Sequence, residues 1–225
     1  MPHAGANHLS PYTYCAGDPV NLVDLEGRTW KTDKDKNEAN KIKKDSEKKL
    51  NKIQRDINKA QIKLDKKTSS KRIQSKLKIL KQQEELITSF IDGIDKLTIS
   101  PNIYTFIDLG RNDSTNPNIF YQNQDNENNE NGYLGKNDIG EIEINYIRNY
   151  SNIYHETQHA IQYELGKLKI TNFNNYDSSI TPIMIRQFEV EAYQIEYIFN
   201  SNFNPTLRIN SFSDINVKSM ERLGY

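Results

Sequence analysis

The sequence predicts an α+β fold: a small sheet with an edge strand and two helices, preceded by a long antiparallel helical hairpin. Three observations predict it. Residues 31–100 carry two heptad-like apolar stripes separated by a short polar break. Residues 101–109 and 139–147 mix β-branched and aromatic residues, the second with apolar and polar residues in alternation. Residues 151–166 and 182–200 show helical spacing between start and stop signals.

Composition bounds what such a chain can be. Its 225 residues suffice for one domain plus an appendage or for two small domains. A hydrophobic fraction of 35% is low, so part of the chain must be extended helix or polar loop. Cys15 is the sole cysteine, which excludes an internal disulfide and a four-cysteine zinc site. No run of about 18 apolar residues occurs, so no membrane span is expected. The first ten residues lack the basic-then-apolar layout of a signal peptide, so export would depend on another vehicle. The formal net charge is zero, giving no global electrostatic case for a nucleic-acid partner. The charge is unevenly spread, however. Residues 31–100 hold 20 Lys/Arg against 11 Asp/Glu, a net of +9, leaving 10 against 19, a net of −9, elsewhere.

The hairpin is the clearest element. Its first stripe runs Ile42, Leu50, Ile53, Ile57, Ala60 and Leu64, and its second Ile73, Leu77, Leu80, Ile87, Ile91 and Ile94. The break at 65–72 contains Ser70, a suitable cap for the second helix. Each arm is expected to be roughly 35 Å long at 1.5 Å per residue. Its lysines are read as a solvated outer face, with nucleic-acid binding as the alternative. Opposite charge is expected to favour docking of the hairpin on the rest of the chain, screened beyond roughly 8–10 Å. Residues 101–109 then read as a strand and 123–132 as an Asn-rich polar loop. In 139–147, Ile142, Ile144 and Tyr146 share one face while Glu141, Glu143 and Asn145 share the other, the pattern of a half-exposed strand at a sheet edge. The next helix is capped by Ser151 or Asn152 and stopped by Gly166, with Ile153, Ala160, Ile161 and Leu165 on its apolar side. A last helix spans 182–200, and 201–225 shows no clear period.

The chemistry lies in the first of these two helices. His155-Glu156-Thr157-Gln158-His159 places two imidazoles four residues apart, on one helical face about 6 Å apart between Cβ atoms. They can meet one tetrahedral Zn²⁺, while Glu156 points beside the metal as a general base. By chance the pattern would arise in on the order of half a per cent of such chains, and beyond residue 8 the chain uses histidine nowhere else. With no further histidine beyond residue 8, the third ligand is expected to be a carboxylate, and 184–200 offers Glu189, Glu191 and Glu196. A helical wheel whose buried face is Phe188, Ala192, Ile195 and Phe199 puts Glu191 nearer the centre than Glu189. A salt bridge, for instance to Arg186, is the structural alternative for either.

The order of strand, H-E-x-x-H helix and glutamate-bearing helix resembles the gluzincin branch of the zincin-like zinc metallopeptidases. Phe188-Glu189-Val190-Glu191-Ala192 is similar to the Glu-x-x-Ala arrangement of several of those families, whose first glutamate ligates zinc. The resemblance implies one Zn²⁺ held by His155, His159 and Glu189, with Glu191 as the alternative. It also implies an oxyanion-stabilising side chain, for which Tyr193 is the leading candidate and Tyr176 and Arg186 are others. The edge strand of such folds holds an extended substrate, which would assign 139–147 that task.

A second resemblance lies at 9–28. Ser10-Pro11-Tyr12-Thr13-Tyr14-Cys15, Asp18-Pro19-Val20-Asn21 and Asp24-Leu25-Glu26-Gly27-Arg28 resemble the closing segment of the Rhs repeat-associated core, which precedes the toxin domains of bacterial polymorphic toxins. It implies a C-terminal fragment of a larger protein, delivered into a target cell by secretion machinery such as a type VI apparatus, with a protein substrate there and a cognate immunity protein. Pro19 and Asp24 keep the spacing of the self-cleavage motif of some relatives, but Leu25 and Arg28 depart from it, which puts cleavage after Arg28 in doubt. The expected organisation is 1–30 core tail, 31–100 basic hairpin and 101–225 metallopeptidase domain. The alternative is a non-peptidase toxin or binding module with a structural metal and a nucleic-acid- or partner-binding hairpin.

Overall fold

The structure, a computed structural model, describes residues 29–66, 70–109, 132–147, 151–170, 177–201, 209 and 211–225. Residues 9–28, the polar stretch 123–131 and Tyr176 lie outside the described residues. The described chain is α+β and mostly helical. Its order is α1 (Asp33–Lys66), α2 (Lys71–Thr98), β1 (Tyr104–Asp108), β2 (Tyr133–Lys136), β3 (Ile142–Tyr146), α3 (Asn152–Glu164), α4 (Pro182–Phe199), a 3₁₀ turn (Phe212–Asp214) and α5 (Val217–Arg222).

The hairpin forms as its stripes require. Ile42, Ile53 and Ala60 of α1 are buried, as are Leu77, Ile87 and Ile94 of α2. Its arms exceed the expected length: α1 has 34 residues, about 51 Å at 1.5 Å per residue. Helix α1 begins with a reciprocal cap, in which the Thr32 N–H donates to Asp35 Oδ2 at 2.9 Å and the Asp35 N–H donates to Thr32 Oγ1 at 3.1 Å. The other Asp35 oxygen accepts the Phe106 N–H of β1 at 2.8 Å, so the cap also pins the hairpin to the sheet.

Docking is chiefly apolar, not the electrostatic attachment that the charge split suggested. Ala39, Ile42, Phe90, Ile94 and Leu97 share one core with Tyr104, Ile142, Ile144, Ala160, Ile161 and Leu168. Gly93 lets α3 approach α2 closely, since a Cβ there would lie 2.5 Å from Ile161 Cγ2. The base of the hairpin is therefore part of the core that carries the site.

The sheet has the order β1-β3-β2, with β1 parallel and β2 antiparallel to β3. This corrects the expected edge position of 139–147: β3 is the central strand. Asn145, expected to face solvent, is 1% exposed. Alternation reports side-chain direction without reporting how many neighbours pair with the backbone.

Helix α3 closes on a Schellman arrangement. Gly166 has φ +68°, its N–H donates to the Tyr163 carbonyl, and the Lys167 N–H donates to the Gln162 carbonyl, each at 2.9 Å. Glu164 in its last turn accepts from Ser100 Oγ, Asn102 Nδ2 and the Tyr104 hydroxyl at 2.6–3.0 Å, anchoring the helix to the start of β1. Helix α4 starts with Pro182 at its first turn, and Thr181 Oγ1 accepts from the Met184 N–H.

Candidate metal centre

Helix α3 presents His155 and His159 toward α4, which presents Glu189, and all three are buried. Ala192, one turn further along α4, is wholly buried. The two imidazole Nε2 atoms lie 3.0 Å apart. His155 Nε2 is 3.4 Å from Glu189 Oε2 and His159 Nε2 is 3.5 Å from Glu189 Oε1. A tetrahedral Zn²⁺ with bonds of about 2.0–2.1 Å separates its ligand atoms by about 3.3–3.4 Å, so the spacing fits such an ion. These three residues could hold a metal ion.

Both histidines are oriented from behind. His155 Nδ1 lies 3.3 Å from Glu196 Oε2, two turns along the same face of α4 from Glu189. His159 Nδ1 contacts Gln162 Oε1 at 2.9 Å. The Gln162 amide group is fixed because its Nε2 donates to the Phe188 carbonyl at 3.1 Å and to Glu191 Oε2 at 3.0 Å. Its Oε1 must then accept, so His159 carries its proton on Nδ1 and turns the Nε2 lone pair inward. Metal-free, the pair attracts protons. Burial pushes His155 down, but the adjacent carboxylates of Glu189 and Glu196 outweigh this and raise it well above the usual imidazole range. His159 is raised too: Glu189 overcomes burial. Burial favours the neutral form of Glu189, yet the two imidazoles hold it well below the usual carboxylate range.

Glu191, the alternative ligand, stands outside this group. Its side chain is 37% exposed, and it accepts from Gln158 Nε2 at 3.3 Å as well as from Gln162. Its place is behind His159, through Gln162. The wheel estimate placed Glu191 nearer the buried face because it counted apolar residues alone. Glu196 is also buried, and this widens the covered face toward Glu189.

Glu156 is 3% exposed, and burial, opposed by the two histidines, raises its pKa. Asn152 Nδ2 donates to Glu156 Oε1 at 3.1 Å, while Asn152 Oδ1 accepts the Ile147 N–H at 3.2 Å and so settles which way the amide faces. Gly132, just before β2, makes room for this pair: a Cβ there would collide with the Asn145 carbonyl and Asn152 Oδ1 and reach within 2.9 Å of Glu156 Cγ.

Tyr193 packs its ring across His155, with centroids 4.5 Å apart, and its hydroxyl lies 3.1 Å from that of Tyr225. Arg186 points elsewhere: its Nε donates to the Tyr225 main-chain oxygen at 2.7 Å, and its guanidinium lies 3.9 Å from Glu221. The chain matches no protein-family model, and comparison with curated proteins and with solved structures returns no match.

Several residues around the centre escaped the sequence reading. Asn152 and Gln162 were findable, since they sit four before Glu156 and three after His159 on one helix. Gly132 and Tyr225 carried no local signal, because distant segments bring them in. Replacing Glu196, the carboxylate nearest His155 Nδ1, by Gln is expected to lower metal affinity about 10–100-fold, as measured by competition with a chromophoric chelator.

Proposed function

We propose that this chain is a zinc-dependent endopeptidase and the toxin part of an Rhs-family protein. The observation that carries the reading is the buried carboxylate of Glu156, fixed by Asn152 beside the His155–His159–Glu189 group. A structural metal would leave a buried, amide-oriented carboxylate at that spot without a task, and burying one costs free energy.

The three residues would hold one Zn²⁺, which when bound supplies Lewis-acid polarisation and a water of lowered pKa. Glu156 takes the proton of the attacking water and hands it to the leaving amine. Its raised pKa suits both transfers, since a base with a pKa nearer neutrality also serves as the acid that follows. Glu196 and the Glu191–Gln162 pair keep the imidazoles turned inward.

The substrate platform moves with the corrected sheet. Residues 139–147 are paired on both sides, whereas β2 has no second strand partner among the described residues. Gly132 brings the start of β2 against Glu156. An extended peptide laid along β2 by main-chain hydrogen bonds would therefore pass the general base.

The Rhs-like segment at 9–28 supports delivery into a target cell and neutralisation by an immunity protein. Zinc measured after exhaustive dialysis is expected at about one equivalent in the wild type and largely absent in His155→Ala. Equal zinc in both would sink the reading. Salt-sensitive binding of RNA or DNA by a zinc-free protein would favour the nucleic-acid alternative instead.

A further inference from the structure

Resting on the peptidase reading, we propose that the bound peptide is selected for a lysine or arginine about three residues from the cleaved bond, and that Glu143, beside the Tyr133 ring, selects it. Gly135 of β2 pairs with Glu143 of β3, which pairs in turn with Thr105 of β1. This row lies on the face of the sheet opposite Leu134, Ile142 and Ile144, the residues that enter the core. A peptide strand added to the free side of β2 extends the row by one place. Its side chain opposite Gly135 then shares a face with Glu143.

Gly135 puts no side chain between the two. The Tyr133 ring lies beside the gap instead: a Cβ at Gly135 would be 3.3 Å from Tyr133 Cε2 and 3.6 Å from its Cδ2. Two strand spacings, about 10 Å, separate the added backbone from that of β3, within the combined reach of a lysine or arginine and a glutamate. The apolar stem of the incoming side chain lies along the Tyr133 ring and its cationic head meets the carboxylate. Glu143 is half-buried, and among the described residues it forms no ion pair; its Oε1 accepts from Asn137 Nδ2 at 3.4 Å. Lys31 is taken by Glu141 at 2.8 Å. Burial, and then the Glu143 carboxylate, raise the Tyr133 pKa, so the phenol beside that charge stays neutral. The distance to the cleaved bond follows from Gly132, whose Cβ would come within 2.9 Å of Glu156 Cγ. Gly135 stands three residues further on, about 10 Å along the strand.

Binding is read first, on zinc-loaded Glu156→Gln so that the probe stays intact. The probes are fluorescent heptapeptide pools of uncharged residues with one lysine at a fixed position, and matching pools with glutamine there. By fluorescence anisotropy, the lysine pool for one position is expected to bind about tenfold tighter than its glutamine counterpart, the worth of one charge-assisted contact. Adding Glu143→Gln is expected to erase the difference. Adding Glu143→Lys is expected to transfer the preference to a glutamate-bearing pool, an inversion that a merely structural role does not produce. Lysine and glutamine pools bound alike at every position, or a lysine preference that survives Glu143→Gln, overturn the inference. Cleavage is read second, as new N-termini that zinc-loaded wild type, but not Glu156→Gln, generates in a heat-denatured bacterial lysate. Cleavage sites without enrichment of Lys or Arg about three residues from the cut overturn the inference and leave the peptidase reading intact. A wild type that generates no new N-termini sinks the peptidase reading, and the inference with it.

Discussion

On the proposed toxin-peptidase reading, Glu156→Gln is expected to keep its fold and its zinc while losing toxicity in cells without an immunity protein. The replacement keeps the shape of the side chain, and its amide oxygen can still accept from Asn152 Nδ2. Only basicity is lost, and a positioned general base contributes about 10²–10⁴-fold. Stability should not fall. Because burial raises the Glu156 pKa in the folded state, the ionised form costs stability above the unfolded pKa, and that cost grows as the pH rises through the folded one. A neutral glutamine removes it, so the melting temperature is expected to equal or exceed that of the wild type, as with other residues whose function is held at the expense of stability. The measurements are zinc content, thermal denaturation and growth on induction. Undiminished killing by a folded, zinc-loaded variant would rule out Glu156 as the base.

Glu189→Gln and Glu191→Gln are expected to part company in metal retention. Glu189 reaches both imidazole Nε2 atoms at 3.4 and 3.5 Å, so losing its charge removes the one anionic donor of the three. Zinc should leave during dialysis. Glu191 reaches the centre only through Gln162 and His159, and such outer partners are typically worth about 10–100-fold in metal affinity. Its variant should retain zinc at micromolar protein and release it earlier under chelator challenge. Equal retention in both, or the reverse order, would displace Glu189 as the third ligand.

Most of the helical architecture and the centre of the site were legible in the residues. The stripes of 31–100 reported two helices because each buries one face, and a 3.6-residue period marks that face whatever lies against it. Gly166 marked the end of α3 because its positive φ suits glycine. His155, Glu156 and His159 could be placed together because a helix sets their spacing locally.

What the sequence by itself determined, then, is what short-range geometry determines: the two long helices, the H-E-x-x-H face of α3, and the glutamates of α4 as candidate third ligands. Tertiary structure alone decided the rest. Alternation in 139–147 showed which side chains share a face, but pairing on both sides made it the central strand. Periodicity on α4 left Glu189 and Glu191 open, because their separation lies in what covers each side of the helix. Charge suggested an electrostatic docking of the hairpin, yet Phe90, Ile94 and Leu97 join it to the core of the sheet. Gly132 and Tyr225 reached the site from segments with no local period to announce them. The physical reason is common to all four: a repeat encodes the face an element buries, whereas the partner that buries it is chosen by contacts between residues far apart in the chain.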